Sequence, residues 1–407
     1  MCALSLSAQF HSFFALVDSL LVSRRNTGAV GFNNLDLVAS EDDTVTPGNT
    51  PTDTNSLALD ILSDDVGYTT NIQIGTPPRN FSILMDSGSA DFWVGAEGCQ
   101  SSSVKGADCV SDLDHLAFAI LMPLDMQGNH TFLGSQSSTS FVDTNQPFNV
   151  TYGKGQVSGS IIQDDVTIAG LGLPAHTFGV ASQETDDFTG LKIDGLMGLA
   201  KSTLSNQGTP TPVESLAQAG LIKEAITSYK ISRVSDEDND GEVTFGSLDD
   251  TKFDQNTLVT IPNVNADGFW EGALDSVTVN GQDLGLRNRS AILDTGTSLM
   301  VAPAKDAETI HKAIPGAKSD DQGGFTIPCT TNASLALILG GQPFTIKSED
   351  LLFQPVNTND PTGECVSGIS SGNIDGPNVW LTGDLFLKNV YLSTNVNTNT
   401  IQLAKSI

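Results

Sequence analysis

Two acidic residues of this chain sit in matching surroundings. Asp86 follows Ser82-Ile83-Leu84-Met85 and precedes Ser87-Gly88-Ser89. Asp294 follows Ser290-Ala291-Ile292-Leu293 and precedes Thr295-Gly296-Thr297. Both read Ser, three apolar residues, Asp, hydroxyl residue, Gly, hydroxyl residue. An apolar run of that kind predicts a strand entering a core, and the Asp-Gly pairing that follows is turn chemistry. A single copy is ordinarily no more than a turn. Two copies can bring two carboxylates together across a pseudo-twofold axis. Carboxylates in contact do not both ionise readily, so one keeps its proton and the pair acts as acid and base together.

The elements that must position these residues are strands. From Gly67 onward, short runs of Val, Ile, Thr and Phe alternate with Gly, Asn, Asp and Pro turns. The runs Tyr68–Ile74, Phe81–Met85, Gln156–Ile162, Val166–Ala169 and Glu242–Phe245 predict strands. So do Leu258–Ile261, Ser276–Val279, Phe344–Ile346 and Val390–Leu392. Few helices are expected, with Thr211–Ala219 and Pro303–Ala313 the best candidates. The 407 residues suffice for two lobes with sizeable cores. Residues 26–60, rich in Asn, Asp, Thr, Ser and Pro, read as a loose tail or pro-segment. Residues 3–22 are fairly apolar but make a poor signal peptide, interrupted by Gln9, His11 and Asp18; an imperfect or truncated leader is favoured.

Charge excludes several partners. Asp and Glu number 48 against 19 Lys and Arg, for a net charge of −29. Nucleic acid and anionic membrane surfaces need clustered bases, so no nucleic-acid partner is expected and an anionic membrane surface is disfavoured. No stretch is long and apolar enough for a membrane span. Few bases also limit the positive charge that builds up in acid, which suits work at low pH. Of five Cys, Cys99 and Cys109 lie close together, as do Cys329 and Cys365; two local disulfides are expected, with Cys2 left over. The five His are scattered and no CxxC pair occurs, so no metal is expected. Acceptor sequences for N-linked sugar start at Asn80, Asn129, Asn149, Asn288 and Asn332, which with the Cys pairs favours an oxidising secretory route.

Two segments stand apart. Val110–Gly128 carries Ala117-Phe118-Ala119-Ile120-Leu121-Met122 in an otherwise polar loop; it reads either as a genuine insertion or as translated intron. Asp236-Glu237-Asp238-Asn239-Asp240-Gly241 resembles the start of a calcium loop, but Ser247 occupies the twelfth position, and an acidic hairpin turn is the better reading.

A third motif, Thr151-Tyr152-Gly153-Lys154-Gly155-Gln156-Val157-Ser158-Gly159, predicts a hairpin with a Gly-rich tip. Taken with the Asp motifs, the chain resembles the pepsin-like family of aspartic endopeptidases, the secreted fungal type, from about Gly67 to its end. The resemblance also rests on Gly75-Thr76-Pro77-Pro78, Phe92-Trp93-Val94, Ile193-Asp194-Gly195-Leu196-Met197-Gly198-Leu199 and Trp380-Leu381-Thr382-Gly383-Asp384.

What the resemblance implies is an all-β, bilobal fold with a pseudo-twofold axis. Residues 1–61 would be leader and pro-segment, 62–250 the first lobe and 251–407 the second. Asp86 and Asp294 would be the catalytic pair, a dyad whose coupled titration is already described for this family. Gly88 and Gly296 would let the backbone approach the carboxylates. Ser87 and Thr295 would buttress the pair, and Ser89 and Thr297 would bond its outer oxygens. Tyr152, Gly153 and Lys154 would belong to a flap over substrate, with Trp93 beside Tyr152 and Ser298 at the substrate. The resemblance also implies the disulfides Cys99–Cys109 and Cys329–Cys365. Expected partners are protein or peptide substrates and pepstatin-like inhibitors, with no cofactor and a monomeric, secreted or vacuolar protein made as a zymogen. Lys154 should repel basic residues just before the scissile bond, unless it is simply solvated. Thr382 departs from the family's apolar residue, which puts local packing in question. Two rival readings are a non-catalytic binding scaffold, disfavoured because both Asp residues and Tyr152 are present, and a glycosidase, disfavoured by the 6% aromatic content.

Overall fold

A computed structural model of the protein describes residues 44–102, 109, 130–320 and 322–407. Strands dominate, and the α-helices among the described residues span only four to nine residues each. The all-β expectation therefore holds. The apolar runs before the two Asp residues become the strands Arg79–Asp86 and Arg289–Leu293. Both are buried on both faces, with Ile83, Met85, Ile292 and Leu293 all at 1% exposure or less. This explains why they read as continuous apolar runs rather than as alternation.

Each run is held by the same local plan. Gly195–Gly198 lies parallel to the first strand, with Gly198 beside Asp86, and antiparallel to Phe92–Ser101. Val379–Thr382 lies parallel to the second, with Thr382 beside Leu293, and antiparallel to Met300–Ala302. The first unit belongs to a nine-stranded sheet, the second to a five-stranded one. A six-stranded sheet joins Phe253–Pro262, Thr400–Ser406, Val390–Asn395, Ile226–Lys230, Glu242–Phe245 and Ser56–Ala58, in that order. It draws strands from both ends of the chain and so ties the two halves together.

All three tryptophans are fully buried and each indole N–H has a partner. Trp93 donates to the Tyr152 hydroxyl at 2.6 Å, Trp270 to the Leu199 carbonyl at 3.0 Å, and Trp380 to Asp306 Oδ2 at 3.0 Å. Burying such a ring contributes roughly 4–6 kcal/mol of transfer free energy, provided its polar end is satisfied.

Two expectations need correction. Gln156–Ile162 and Val166–Ala169 are parts of one strand, Gln156–Ile168, bent by an irregularity between Asp164 and Val166. The loose-tail reading fails over residues 44–60. Val45–Thr46 pairs with Ile61 and Leu62, and Ser56–Ala58 pairs with Glu242, Val243 and Thr244. Leu59 is buried and its carbonyl accepts a hydrogen bond from Asn239 Nδ2 at 2.9 Å. Polar composition hid these strands because a two- or three-residue strand on an existing sheet needs only an occasional apolar side chain. Cys2, Arg24, Arg25 and the rest of residues 1–43, together with Val110–Gly128 and Asn129, lie outside the described residues. The acidic run Asp236–Gly241 is a turn: Asp240 pairs with Lys230 and with Lys252, and Asn239 is spent on backbone.

Candidate active site

The two Asp loops meet between the sheets. Asp86 and Asp294 are both 0% exposed. Asp86 accepts the Gly88 N–H on Oδ1 at 2.7 Å and the Ser89 hydroxyl on Oδ2 at 2.5 Å. Asp294 accepts the Gly296 N–H on Oδ1 at 2.8 Å and the Thr297 hydroxyl on Oδ2 at 2.5 Å. The arrangement is the same twice over, one copy from each half.

The loops also interlock. The Ser87 N–H donates to the Thr295 hydroxyl, and the Thr295 N–H donates to the Ser87 hydroxyl, each at 2.9 Å. The Ser87 hydroxyl donates on to the Leu293 carbonyl and the Thr295 hydroxyl to the Met85 carbonyl. Each hydroxyl thus donates one bond and accepts another across the seam. Each glycine lies against the other half's carboxylate. A Cβ on Gly88 would sit 2.3 Å from Asp294 Cγ, and one on Gly296 would sit 2.5 Å from Asp86 Oδ1. No side chain fits at either position.

Burial raises the pKa of Asp86 well above its ordinary value, and the neighbouring Asp294 charge raises it further; bonds from Ser89 and Gly88 pull the other way. Burial raises Asp294 as well, against bonds from Thr297 and Gly296. The two carboxyls titrate as a pair, and the geometry favours a single proton between them.

The predicted hairpin closes one side. Val142–Thr151 pairs with Gln156–Ile168, with Thr151 opposite Gln156. Gly155 adopts φ +77°, and a Cβ there would meet Phe188 Cε2 at 2.6 Å. Tyr152 is buried, and its ring meets the edge of Phe188, as does that of Trp93. Gly153 is exposed and Lys154 half-buried at the tip. The Ser298 hydroxyl donates to the Val66 carbonyl, a contact between halves.

Several supporting residues escaped sequence reasoning. Phe188 completes the aromatic cluster from a four-residue helix, Asp186–Thr189, with no motif to mark it. Asp91, fully buried, accepts bonds from Ser205, Asn206 and Gln207 and anchors the loop after the first dyad strand. Asp194, which the sequence showed only within the Ile193–Leu199 motif, holds the Ser82 and Thr131 N–H groups, at 2.8 and 2.7 Å. Asp384 was visible only as part of a motif. It is fully buried, its oxygens have no hydrogen-bond partner among the described residues, and burial with the Asp294 charge pushes its pKa well up. The Thr382 carbonyl accepts the Asp294 N–H at 3.1 Å, while its buried hydroxyl has no partner among the described residues.

The disulfides Cys99–Cys109 and Cys329–Cys365 are both present. Among the described residues, the only ligand-type cluster is Cys99, Cys109 and Glu184, and its two sulfurs are already bonded to each other. Asn80, Asn149, Asn288 and Asn332 are all exposed. Among the described residues no helix is long and apolar enough to cross a membrane.

Two lobes that each deliver an Asp-Ser/Thr-Gly loop to one buried carboxyl pair define the class of aspartyl proteases. Residues 67–406 match the model of the eukaryotic aspartyl protease family, and the chain belongs to that family. It is 34% identical over 355 residues to a probable aspartic-type endopeptidase CTSD of Trichophyton verrucosum, covering 87% of this chain and 64% of that one. It is 33% identical over 343 residues to aspartic-type endopeptidase ctsD of Aspergillus fumigatus, covering 84% and 66%. Rhizopuspepsin of Rhizopus chinensis is 29% identical over 345 residues, covering 84% and 79%. The chain thus spans a little under two-thirds of the length of the first two relatives.

Proposed function

We propose that this chain is an aspartic-type endopeptidase that hydrolyses peptide bonds in acid through a water activated by Asp86 and Asp294. The single observation that carries the reading is the reciprocal placement of each glycine beneath the other half's carboxylate. That placement lets the two loop backbones close on the pair, where a Cβ on either side would displace the opposite carboxylate. The ionised carboxylate takes a proton from water, whose oxygen attacks the carbonyl carbon. The protonated partner donates to the carbonyl oxygen. Collapse of the tetrahedral species then sends a proton to the leaving nitrogen. Ser89 and Thr297 hold the outer oxygens, Ser87 and Thr295 keep the loops in register, and Tyr152 with Trp93 excludes water once the flap closes.

Residues 62–250 and 251–407 serve as the two lobes. A leader and pro-segment fall within residues 1–61, and the strands Ser56–Ala58 and Asp60–Leu62 favour a processing point ahead of them. Substrates are proteins or peptides with apolar residues flanking the scissile bond. Lys154 at the flap tip disfavours a basic residue on the amino side of that bond; equal cleavage of Lys-X and Phe-X peptides would sink this point. Inhibition by pepstatin, a monomeric state, and secretion or vacuolar delivery complete the reading.

The test is proteolysis of denatured haemoglobin from acid to neutral pH, with and without pepstatin, beside Asp294→Asn. Activity confined to acid, blocked by the inhibitor and absent in the variant, is expected. A folded, processed protein with no activity would return the binding-scaffold reading.

A further inference from the structure

Val142–Thr151 is the outer edge strand of the nine-stranded sheet and one arm of the flap hairpin. Its end alternates sharply. Phe148, Val150 and Tyr152 pack into the cluster that holds Trp93 and Phe188. Asn149 and Thr151 are exposed on the opposite face. Asn149-Val150-Thr151 is an acceptor sequence for N-linked oligosaccharide. Asn149 Oδ1 accepts a hydrogen bond from Gln156 Nε2 at 2.8 Å across the hairpin. The bond orients the side-chain amide and leaves its nitrogen as the atom open to modification. Asn80, Asn288 and Asn332 are exposed too, but none of them lies on the flap.

We propose that Asn149 carries an N-linked oligosaccharide on the outer face of the flap, and that this sugar admits short peptides to the cleft more readily than folded proteins. In the transfer, Asn149 Nδ2 bonds to the anomeric carbon of a lipid-diphosphate-linked oligosaccharide and loses a proton. The bond from that carbon to the diphosphate oxygen breaks, and lipid diphosphate leaves. The inner face of the hairpin is filled by aromatic and apolar side chains, so a hydrated glycan stays outside. There it covers the outer side of Val142–Thr151, which has no further strand beside it among the described residues and would otherwise offer a template to another chain. It also moves with the flap as the flap opens. A folded substrate must clear that bulk to reach the dyad, whereas a short peptide passes beneath it. The site stands on the hairpin alone; only its consequence rests on the endopeptidase reading.

The experiment uses the full chain secreted from a glycosylating fungal host. Enzymatic release of the sugar converts a glycosylated Asn to Asp, and peptide mass mapping should find that conversion at Asn149. Rates are then compared for a quenched-fluorescent short peptide and a folded protein substrate, before and after trimming, beside Asn149→Gln and Asn149→Asp. Trimming and both variants should raise kcat/KM on the folded protein by at least about twofold and leave the peptide rate in place. An unmodified Asn149 in the secreted protein overturns the proposal. So does a glycan whose removal changes both substrates equally or neither. A glycosylated Asn149 on protein that cleaves nothing in any form would uphold the site and remove the endopeptidase reading instead.

Discussion

Ser87 and Thr295, 208 positions apart in the chain, each give their N–H to the other's hydroxyl at the same distance, 2.9 Å. This exchange fixes the two Asp loops relative to each other before any substrate arrives. Removing either hydroxyl strands a buried N–H. Ser87→Ala and Thr295→Ala should each lower stability by about 1–3 kcal/mol. The double variant should cost less than the sum, since both changes remove one shared network. Urea unfolding of the four proteins measures the coupling, and strict additivity would refute it.

Gly88 is fixed by sterics rather than by its turn. Because a Cβ there would sit 2.3 Å from Asp294 Cγ, Gly88→Ala must displace the carboxylate. Activity should fall by about 100-fold or more, the scale on which small misplacements act. Near-ultraviolet circular dichroism should remain that of the folded protein.

Neutral pH should weaken the lobe that carries Asp86. Burial raises Glu184 from 4.5 to about 7, partly offset by His130, with the Asp194 charge adding to the rise. Burial alone would lower His130, but the hydrogen bond and charge of Asp194, 3.7 Å away, leave its pKa raised. Both groups bind protons more tightly folded than unfolded. Their contribution is therefore complete in acid and is lost as pH climbs through the folded values. For Glu184 the loss is about 3 kcal/mol between pH 4 and pH 8. Glu184→Gln should flatten that decline when unfolding is followed against pH. An unchanged profile would count against the assignment.

His176 has the opposite sign. Burial lowers it from 6.5 to about 4, and it stacks on Phe92 and Phe178 with Nε2 unpartnered among the described residues. Its contribution is present above the unfolded value and is lost as pH falls from 6.5 through 4. His176→Phe should remove up to about 3 kcal/mol of that acid penalty. Melting temperature at pH 4 and pH 7 is the readout, with the gain confined to acid.

Thr382 keeps a buried hydroxyl without a partner among the described residues, beside the second Asp strand. Thr382→Val replaces it with an apolar group of the same shape. A gain of about 1 kcal/mol is expected with the catalytic rate little changed. A loss of stability would mean that the hydroxyl is satisfied in solution.

Much of the site was legible in the chain because its constraints are local. A strand buried on both faces must be apolar throughout, an Asp followed closely by Gly favours a turn, and a hairpin tip needs Gly where φ is positive. Those rules marked Asp86, Asp294, Gly88, Gly296 and the Tyr152 hairpin, and resemblance put them in one site. The short strands of residues 44–62 were illegible because the Glu242–Phe245 strand supplies most of what Ser56–Ala58 needs. Phe188, Asp91 and Asp384 were illegible as site neighbours because their surroundings come from segments far away in sequence. The chain by itself determined the two Asp loops and the kind of chemistry they can support. Tertiary structure alone decided that Ser87 and Thr295 exchange bonds, that each Gly lies under the opposite carboxylate, and that Ser298 donates to Val66. Those facts depend on how two halves distant in sequence meet, and local rules of spacing and propensity carry no information about distances across that seam.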